Sequence, residues 1–312
     1  MMSQKAKTLI LSSFLSFLGV CNSACNFGLT NATSTKIKGM FVFGSSLVDN
    51  GNNNFLEKCK AKANYLPYGV DYAKGPTGRF TNGKNVIDLL GDHLKLPSLP
   101  TFKDPSTKGN VILQGNDFSL NFFKNFPHNN ATLTGFISKL ITGLSQQIQR
   151  LYDMGARKFV VMSVYPNGCS PTVRARVPIP VPTGCIHTIN VPLSLYNTNL
   201  KSLLDYMMQK MPDSKFVYVD VFNIIKNIVQ TPSQYGFDNT IDACCEVTPI
   251  KEGGNAALCK NGGQVCPSRN KYVWFDGLHP TEAVNIVLAN KAFDSELNTE
   301  VYPTNVKKLI EG

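Results

Sequence analysis

Charge is scarce in this chain: Asp, Glu, Lys and Arg make up 17% of its 312 residues, tryptophan occurs once and histidine four times. No apolar run reaches the roughly 20 residues that cross a bilayer. There is no His-Glu-x-x-His, no Cys-x-x-Cys and no glycine-rich phosphate cradle, so neither a metal nor a nucleotide cofactor is called for. Lys and Arg outnumber Asp and Glu by 31 to 21, but they are scattered, and no basic arm argues for nucleic acid. Internal repeats and low-complexity blocks are also absent. What remains is an ordinary globular composition, 43% hydrophobic.

The N-terminus has its own character. Lys5 and Lys7 precede the apolar run Leu9 to Val20, and small residues follow from Cys21 to Cys25. That order reads as a secretory signal peptide over residues 1–24, cut near Ser23 or Ala24. About 288 residues then remain, enough for one α/β domain, placed at 36–300. The formal charge is +10, or +8 without Lys5 and Lys7. A charge of that sign suits solubility and could favour retention on an acidic cell-wall matrix.

Nine cysteines fit an exported chain, with Cys59, Cys169, Cys185, Cys244, Cys245, Cys259 and Cys266 left in the mature part. Their spacing favours disulfides over metal. Cys169 with Cys185 would close the Pro-rich loop Pro171 to Pro182, and Cys244/Cys245 with Cys259/Cys266 would staple the Gly-rich loop before the last strand, the connectivity being open. Asn31-Ala32-Thr33 and Asn130-Ala131-Thr132 are glycosylation sequons.

Hydrophobic periodicity predicts alternating strands and helices. Strands are expected at Met40 to Phe43, Val111 to Leu113, Lys158 to Val164, Phe216 to Val221 and Tyr272 to Phe275. Helices are expected from near Gly83 to Leu94, from Phe136 to Tyr152 with Gly155 as cap, from Leu193 to Met208, from Phe222 to Val229 and from Ala283 to Leu297. Such alternation predicts a mostly parallel sheet with right-handed crossovers.

Two strand-end loops carry the chemistry. Phe41-Val42-Phe43-Gly44-Ser45-Ser46-Leu47-Val48-Asp49-Asn50-Gly51-Asn52-Asn53-Asn54 would deliver a serine hydroxyl at the carboxyl edge of a strand, where ligands collect. Read alone, it is also an Asn/Gly-rich turn. Asp276-Gly277-Leu278-His279-Pro280-Thr281 places a carboxylate three residues before an imidazole, within reach of its Nδ1. Read alone, it is a helix entry with Pro280 at the first helical position.

Together the two loops resemble the plant GDSL esterase/lipase family of the SGNH hydrolases, over about Lys38 to Phe293. That family's opening motif reads Phe-x-Phe-Gly-Asp-Ser-Leu-x-Asp-x-Gly-Asn-Asn, and its closing motif Asp-x-x-His-Pro-Thr. Gly115-Asn116-Asp117 is similar to its Gly-x-Asn-Asp block, and Leu144 to Tyr165 is very like its members. The resemblance implies a flavodoxin-like three-layer α/β fold and a secreted serine ester hydrolase acting on lipid or cell-wall acyl esters. It implies Ser46 as nucleophile, His279 as base and Asp276 as its orienting acid, with Ser46 N–H and the Asn116 side chain at the oxyanion and no cofactor. The alternatives are a catalytically impaired wall or lipid-binding protein, and an acyltransferase using the same acyl-enzyme.

Two departures stand out. Ser45 replaces the family's aspartate, and is expected to tie the nucleophile loop to nearby backbone N–H groups more weakly. Between Leu94 and Val111 nothing matches the family's Gly-rich block Asn-x-Ala-x-Gly-Gly-Ala-Gly, one glycine of which lends an oxyanion N–H. One strand–helix unit is therefore expected to be missing.

Overall fold

Phe216-Val217-Tyr218-Val219 is apolar without alternation, as a strand buried on both faces requires. The computed structural model describes residues 37, 39–57, 59–101, 132–176, 184–249, 252–254 and 256–311. In chain order its helices and strands are α1 (Val86–His93), α2 (Leu133–Asp153), β1 (Lys158–Met162), α3 (Pro171–Arg174), α4 (His187–Lys210), β2 (Lys215–Val219), α5 (Val221–Gln230), β3 (Asn239–Ala243), β4 (Tyr272–Trp274), α6 (Glu282–Asp294), β5 (Val301–Tyr302) and α7 (Val306–Glu311). Lys36–Gly312 forms one compact unit.

β2 lies between β1, its parallel partner, and β5, its antiparallel one; Phe159 stands opposite Phe216. Alternate residues of β2 feed two cores. Val217 and Val219 pack with Leu90 of α1, Ile224 and Ile228 of α5, Leu288 of α6 and Leu309 of α7. Phe216 and Tyr218 pack on the other side with Phe159, with Ile148 of α2 and with Leu200, Leu204 and Met207 of α4. Helices therefore cover both faces of a mixed sheet. Each fully buried Leu, Ile or Phe contributes about 1.5–3 kcal/mol, so these two clusters hold the layers together. β3 and β4 form a separate parallel pair, and it is β4 that leads into the Asp276 loop.

Several helix limits follow from their caps. Asn85 Oδ1 accepts from Ile87 N (3.1 Å) and Asp88 N (3.0 Å), while Asp88 Oδ2 accepts from Asn85 N at 3.0 Å. This capping box starts α1 at Val86. Thr132 caps α2 through Gly135 N, and Gly155, at φ 102°, follows its end.

Several features differ from expectation, the strand β3 and the short helix α3 among them. Met40 to Phe43 is not a strand. Met40 and Val42 pack on the core, yet Phe41 is 78% exposed, and no neighbouring strand among the described residues supplies a hydrogen-bond ladder. α4 starts six residues early and runs through Pro192. A proline costs a helix about 3 kcal/mol, but Asn190, Leu193, Asn197 and Leu200 bury one continuous stripe, and that burial prevails. α6 begins at Glu282 with Thr281 as its cap, so Pro280 stands before the helix rather than in it. Past residue 300, β5 extends the sheet and α7 buries Val306 and Leu309.

Among the described residues three disulfides form, Cys169–Cys185, Cys244–Cys266 and Cys245–Cys259, and Cys59 is a free thiol. No described helix is long and apolar enough to cross a membrane. The signal-peptide reading of 1–24, the sequons at Asn31 and Asn130, the strand at Val111 to Leu113 and the oxyanion candidate Asn116 all lie outside the described residues.

Candidate active site

The loop after β4 folds back on its own strand. Phe275 N donates to His279 O (2.8 Å), Thr281 N to Val273 O (3.0 Å) and Thr281 Oγ1 to Tyr272 O (2.8 Å), so residues 276–280 are held as a closed bend. Asp276 is fully buried inside it. Its Oδ1 accepts from Leu278 N (2.8 Å) and His279 N (2.7 Å), and its two oxygens lie 2.9 and 2.8 Å from His279 Nδ1. A carboxylate on Nδ1 leaves Nε2 of the same ring to face outward. His279 Nε2 lies 2.8 Å from Ser46 Oγ, across 233 residues of chain. Phe80 packs against the imidazole, ring centroids 4.8 Å apart.

Ser46 opens a single 3-10 turn, Ser46–Val48, in which Val48 N donates to Ser45 O at 3.0 Å. The N–H groups of Ser46 and Leu47 fall outside the turn's own bonds, as at any helix start. Ser45 does not do what was expected of it. Its side chain makes no capping bond. Asp49 takes that part: Oδ1 accepts from Gly51 N (2.9 Å) and Asn52 N (2.6 Å), and Oδ2 from Asn53 N (3.3 Å). A carboxylate binds such donors better than a hydroxyl does, and Asp49 is buried among them.

A polar bracket ties this turn to the histidine loop. Asn85 Nδ2 donates to Asn50 Oδ1 (2.7 Å). Arg79 clamps Asp88 of α1 with Nε at 2.6 Å and Nη2 at 2.8 Å, both side chains buried. Burial alone would lower the Arg79 guanidinium, and the Asp88 carboxylate more than reverses this. Glu282 N donates to Asn82 Oδ1 (2.9 Å), and Lys84 N donates to Glu282 Oε1 (2.8 Å). The segment 79–88 is thus bonded to the serine turn on one side and to the start of α6 on the other.

A hydroxyl, an imidazole and a buried carboxylate in this order can take a proton off the hydroxyl as it attacks a carbonyl. Among the described residues no group of three His, Cys, Asp or Glu is placed to hold a metal ion.

The family model for the GDSL-like lipase/acylhydrolases matches residues 110–292, a span that takes in Asp276 and His279. The chain belongs to that family. A GDSL esterase/lipase of Arabidopsis thaliana is 34% identical over 347 aligned residues, covering 88% of this chain and 89% of the relative. A second from the same plant is 31% identical over 341 residues, covering 88% and 91%. GDSL esterase/lipase 7 of Arabidopsis thaliana is 32% identical over 336 residues, covering 86% and 91%. With these relatives, this GDSL-family chain is a carboxylic ester hydrolase acting on ester substrates. In the first alignment 88% of 312 residues fill 347 positions, so about 70 positions of that relative have no residue of this chain opposite them. The family match begins at 110, after the serine turn and next to the stretch Leu94 to Val111.

Sequence reasoning brought Ser46, Asp276 and His279 to notice, and the GDSL fold sets them in contact. It missed Arg79, Phe80 and Asn85. Their only local signal is a run, Pro67 to Asn85, rich in turn residues yet buried at Tyr68, Arg79, Phe80, Thr81, Asn82 and Asn85. Polar residues without an apolar period do not declare their burial.

Proposed function

We propose that this hydrolase is an exported serine esterase that works through an acyl-enzyme on lipid or cell-wall acyl esters. Ser46 Oγ attacks the ester carbonyl while His279 Nε2 takes its proton, and Asp276 holds the imidazole and balances its charge. The Ser46 N–H and the Asn116 side chain hold the oxyanion. The alcohol leaves with the proton returned by His279, and water repeats the sequence to free the acid. The observation that carries this reading is the 2.8 Å contact of His279 Nε2 with Ser46 Oγ, backed by buried Asp276 on Nδ1. Three disulfides and the leader-like N-terminus support export. The sequons at Asn31 and Asn130 would be glycosylated on that route.

The domain is read as one flavodoxin-like SGNH unit, 36–300 with its C-terminal extension, one strand–helix unit shorter than its relatives. The gap of about 70 aligned positions and the exposed Phe41, which no strand among the described residues pairs with, support that reading. They also favour a second functional reading, an impaired member with slow turnover, because one oxyanion donor is typically worth about 10²–10³ in kcat.

A fluorophosphonate probe tests the assignment on purified protein. Wild type and Ser45→Ala take the label and Ser46→Ala does not. Labelling of Ser46→Ala would refute Ser46 as the nucleophile.

A further inference from the structure

Asp276 has two kinds of partner. Leu278 N and His279 N come from its own loop and bond Oδ1, as they do in many loops with no chemistry. Among the described residues Oδ2 has one donor besides the imidazole, and it comes from 208 residues away: Tyr68 O–H, at 2.6 Å. We infer that Tyr68 is a positioning residue of the hydrolytic site, which holds the Asp276 carboxylate in the orientation that serves His279 Nδ1. The inference rests on the reading of Ser46, His279 and Asp276 above.

The direction of the bond is determined by its surroundings. Cys259 N lies 3.1 Å from the Tyr68 oxygen and can only donate. An ionised carboxylate can only accept. The phenol therefore accepts from Cys259 and gives its own hydrogen to Asp276. Burial, followed by the negative charge of Asp276 and the bond to it, holds the phenol well above its ordinary pKa, so it stays a donor across the working range.

The ring itself has no freedom to drift. Tyr68 is fully buried, with Tyr65, Phe80 and Phe275 edge-on to it at 5.3, 5.8 and 5.8 Å between centroids. Cys259 is bonded to Cys245, and its carbonyl accepts from Tyr65 O–H at 2.9 Å. The phenol thus connects a disulfide-anchored loop to the carboxylate. Asp276 is fully buried, so no bulk water can replace the donor. Without it Oδ2 keeps, among the described residues, only the imidazole, and the orientation of the carboxylate toward Nδ1 is left to the bonds that its own loop makes to Oδ1. Both halves of the reaction use His279, so both slow together.

The experiment compares wild type, Tyr68→Phe and Tyr152→Phe on p-nitrophenyl acetate, with fluorophosphonate labelling of Ser46 alongside. Tyr152 donates to Asp213 on the exposed side of α2, the same chemistry in the wrong place. Tyr68→Phe should lower kcat by about ten- to a hundredfold, the range for a hydrogen bond to a charged group. KM should stay within about twofold, labelling should slow in parallel, and Tyr152→Phe should match wild type. If Tyr68→Phe does not fold, 4-aminophenylalanine at position 68 keeps the shape with a weaker donor and should give a kcat below wild type. Folded Tyr68→Phe, or the amino analogue, with wild-type kcat beside a normally labelled wild type overturns the role of Tyr68 alone. A wild type that takes no label overturns the reading of Ser46, and the role of Tyr68 falls with it.

Discussion

Gly277→Ala should damage both the stability and the chemistry of this protein, by an amount the structure sets. Gly277 sits between Asp276 and Leu278, and it is space rather than an unusual φ that calls for glycine there. A Cβ at this position would fall on Ala256 O and Thr172 Oγ1, closer than the 3.0 Å that real Cβ atoms keep. Neither atom can rotate away: one is backbone, and the other donates to that same carbonyl from a buried threonine. The loop must move, and with it go Gly277 N to Ala257 O (2.8 Å) and Thr172 N to Gly277 O (2.9 Å). Each buried bond left open costs about 1–3 kcal/mol, so the pair costs about 2–6 kcal/mol of a total near 5–15 kcal/mol. In non-reducing urea, with m about 1–3 kcal/mol/M, the midpoint should fall by about 1 M or more. Asp276 is the adjacent residue, and a shift of about 1 Å at a catalytic group can cost 10²-fold in rate. An unchanged midpoint with kcat within twofold of wild type would refute the reasoning. A lowered midpoint with unchanged kcat would refute the coupling of loop to site.

Two further outcomes are expected. Glu282, about half buried, is raised above its ordinary value by burial first, against the pull of Lys84 N–H. A raised folded-state carboxyl contributes its stability below the unfolded pKa and loses it as pH climbs through the folded one; Glu282→Gln should therefore melt with wild type near pH 4 and above it at pH 7, and equal melting at both would count against the burial argument. Inserting a relative's strand and Gly-rich loop between Asn110 and Val111 should raise both melting temperature and p-nitrophenyl acetate turnover, while no change in either would show the missing unit to be dispensable.

What was legible in the sequence was what is local or periodic. β2 and α2 announce themselves, one by an unbroken apolar run and the other by 3.6-residue spacing. Asp276 and His279 are three residues apart, so their contact is written into one loop. The cysteines cluster in two loops, and their bridges span 14 to 22 residues. Long-range polar contacts were illegible. Tyr68 meets Asp276 and Asn82 meets Glu282 across about 200 residues, with nothing periodic to mark either. Met40 to Phe43 reads as a strand because its residues favour one, but a strand also needs a neighbour, and that requirement lies elsewhere in the chain.

That unmet requirement changes what holds the nucleophile. Where a strand delivers a serine, backbone ladders on both sides fix its position and side-chain identity matters little. Here no strand among the described residues pairs with the segment before Ser46, and Phe41 and Phe43 are exposed. Its distance from His279 is instead kept by side chains: Asp49 closing its own turn, Asn85 bonded to Asn50, Arg79 to Asp88 and Asn82 to the start of α6. Side-chain bonds of this kind carry geometry only while every member is present, since each buried partner left alone costs more than the bond contributed. The serine turn should therefore tolerate apolar changes at Phe41 and Phe43 far better than a change at Arg79 or Asn85. Arg79 and Asn85 do not touch Ser46, and yet they hold it in place.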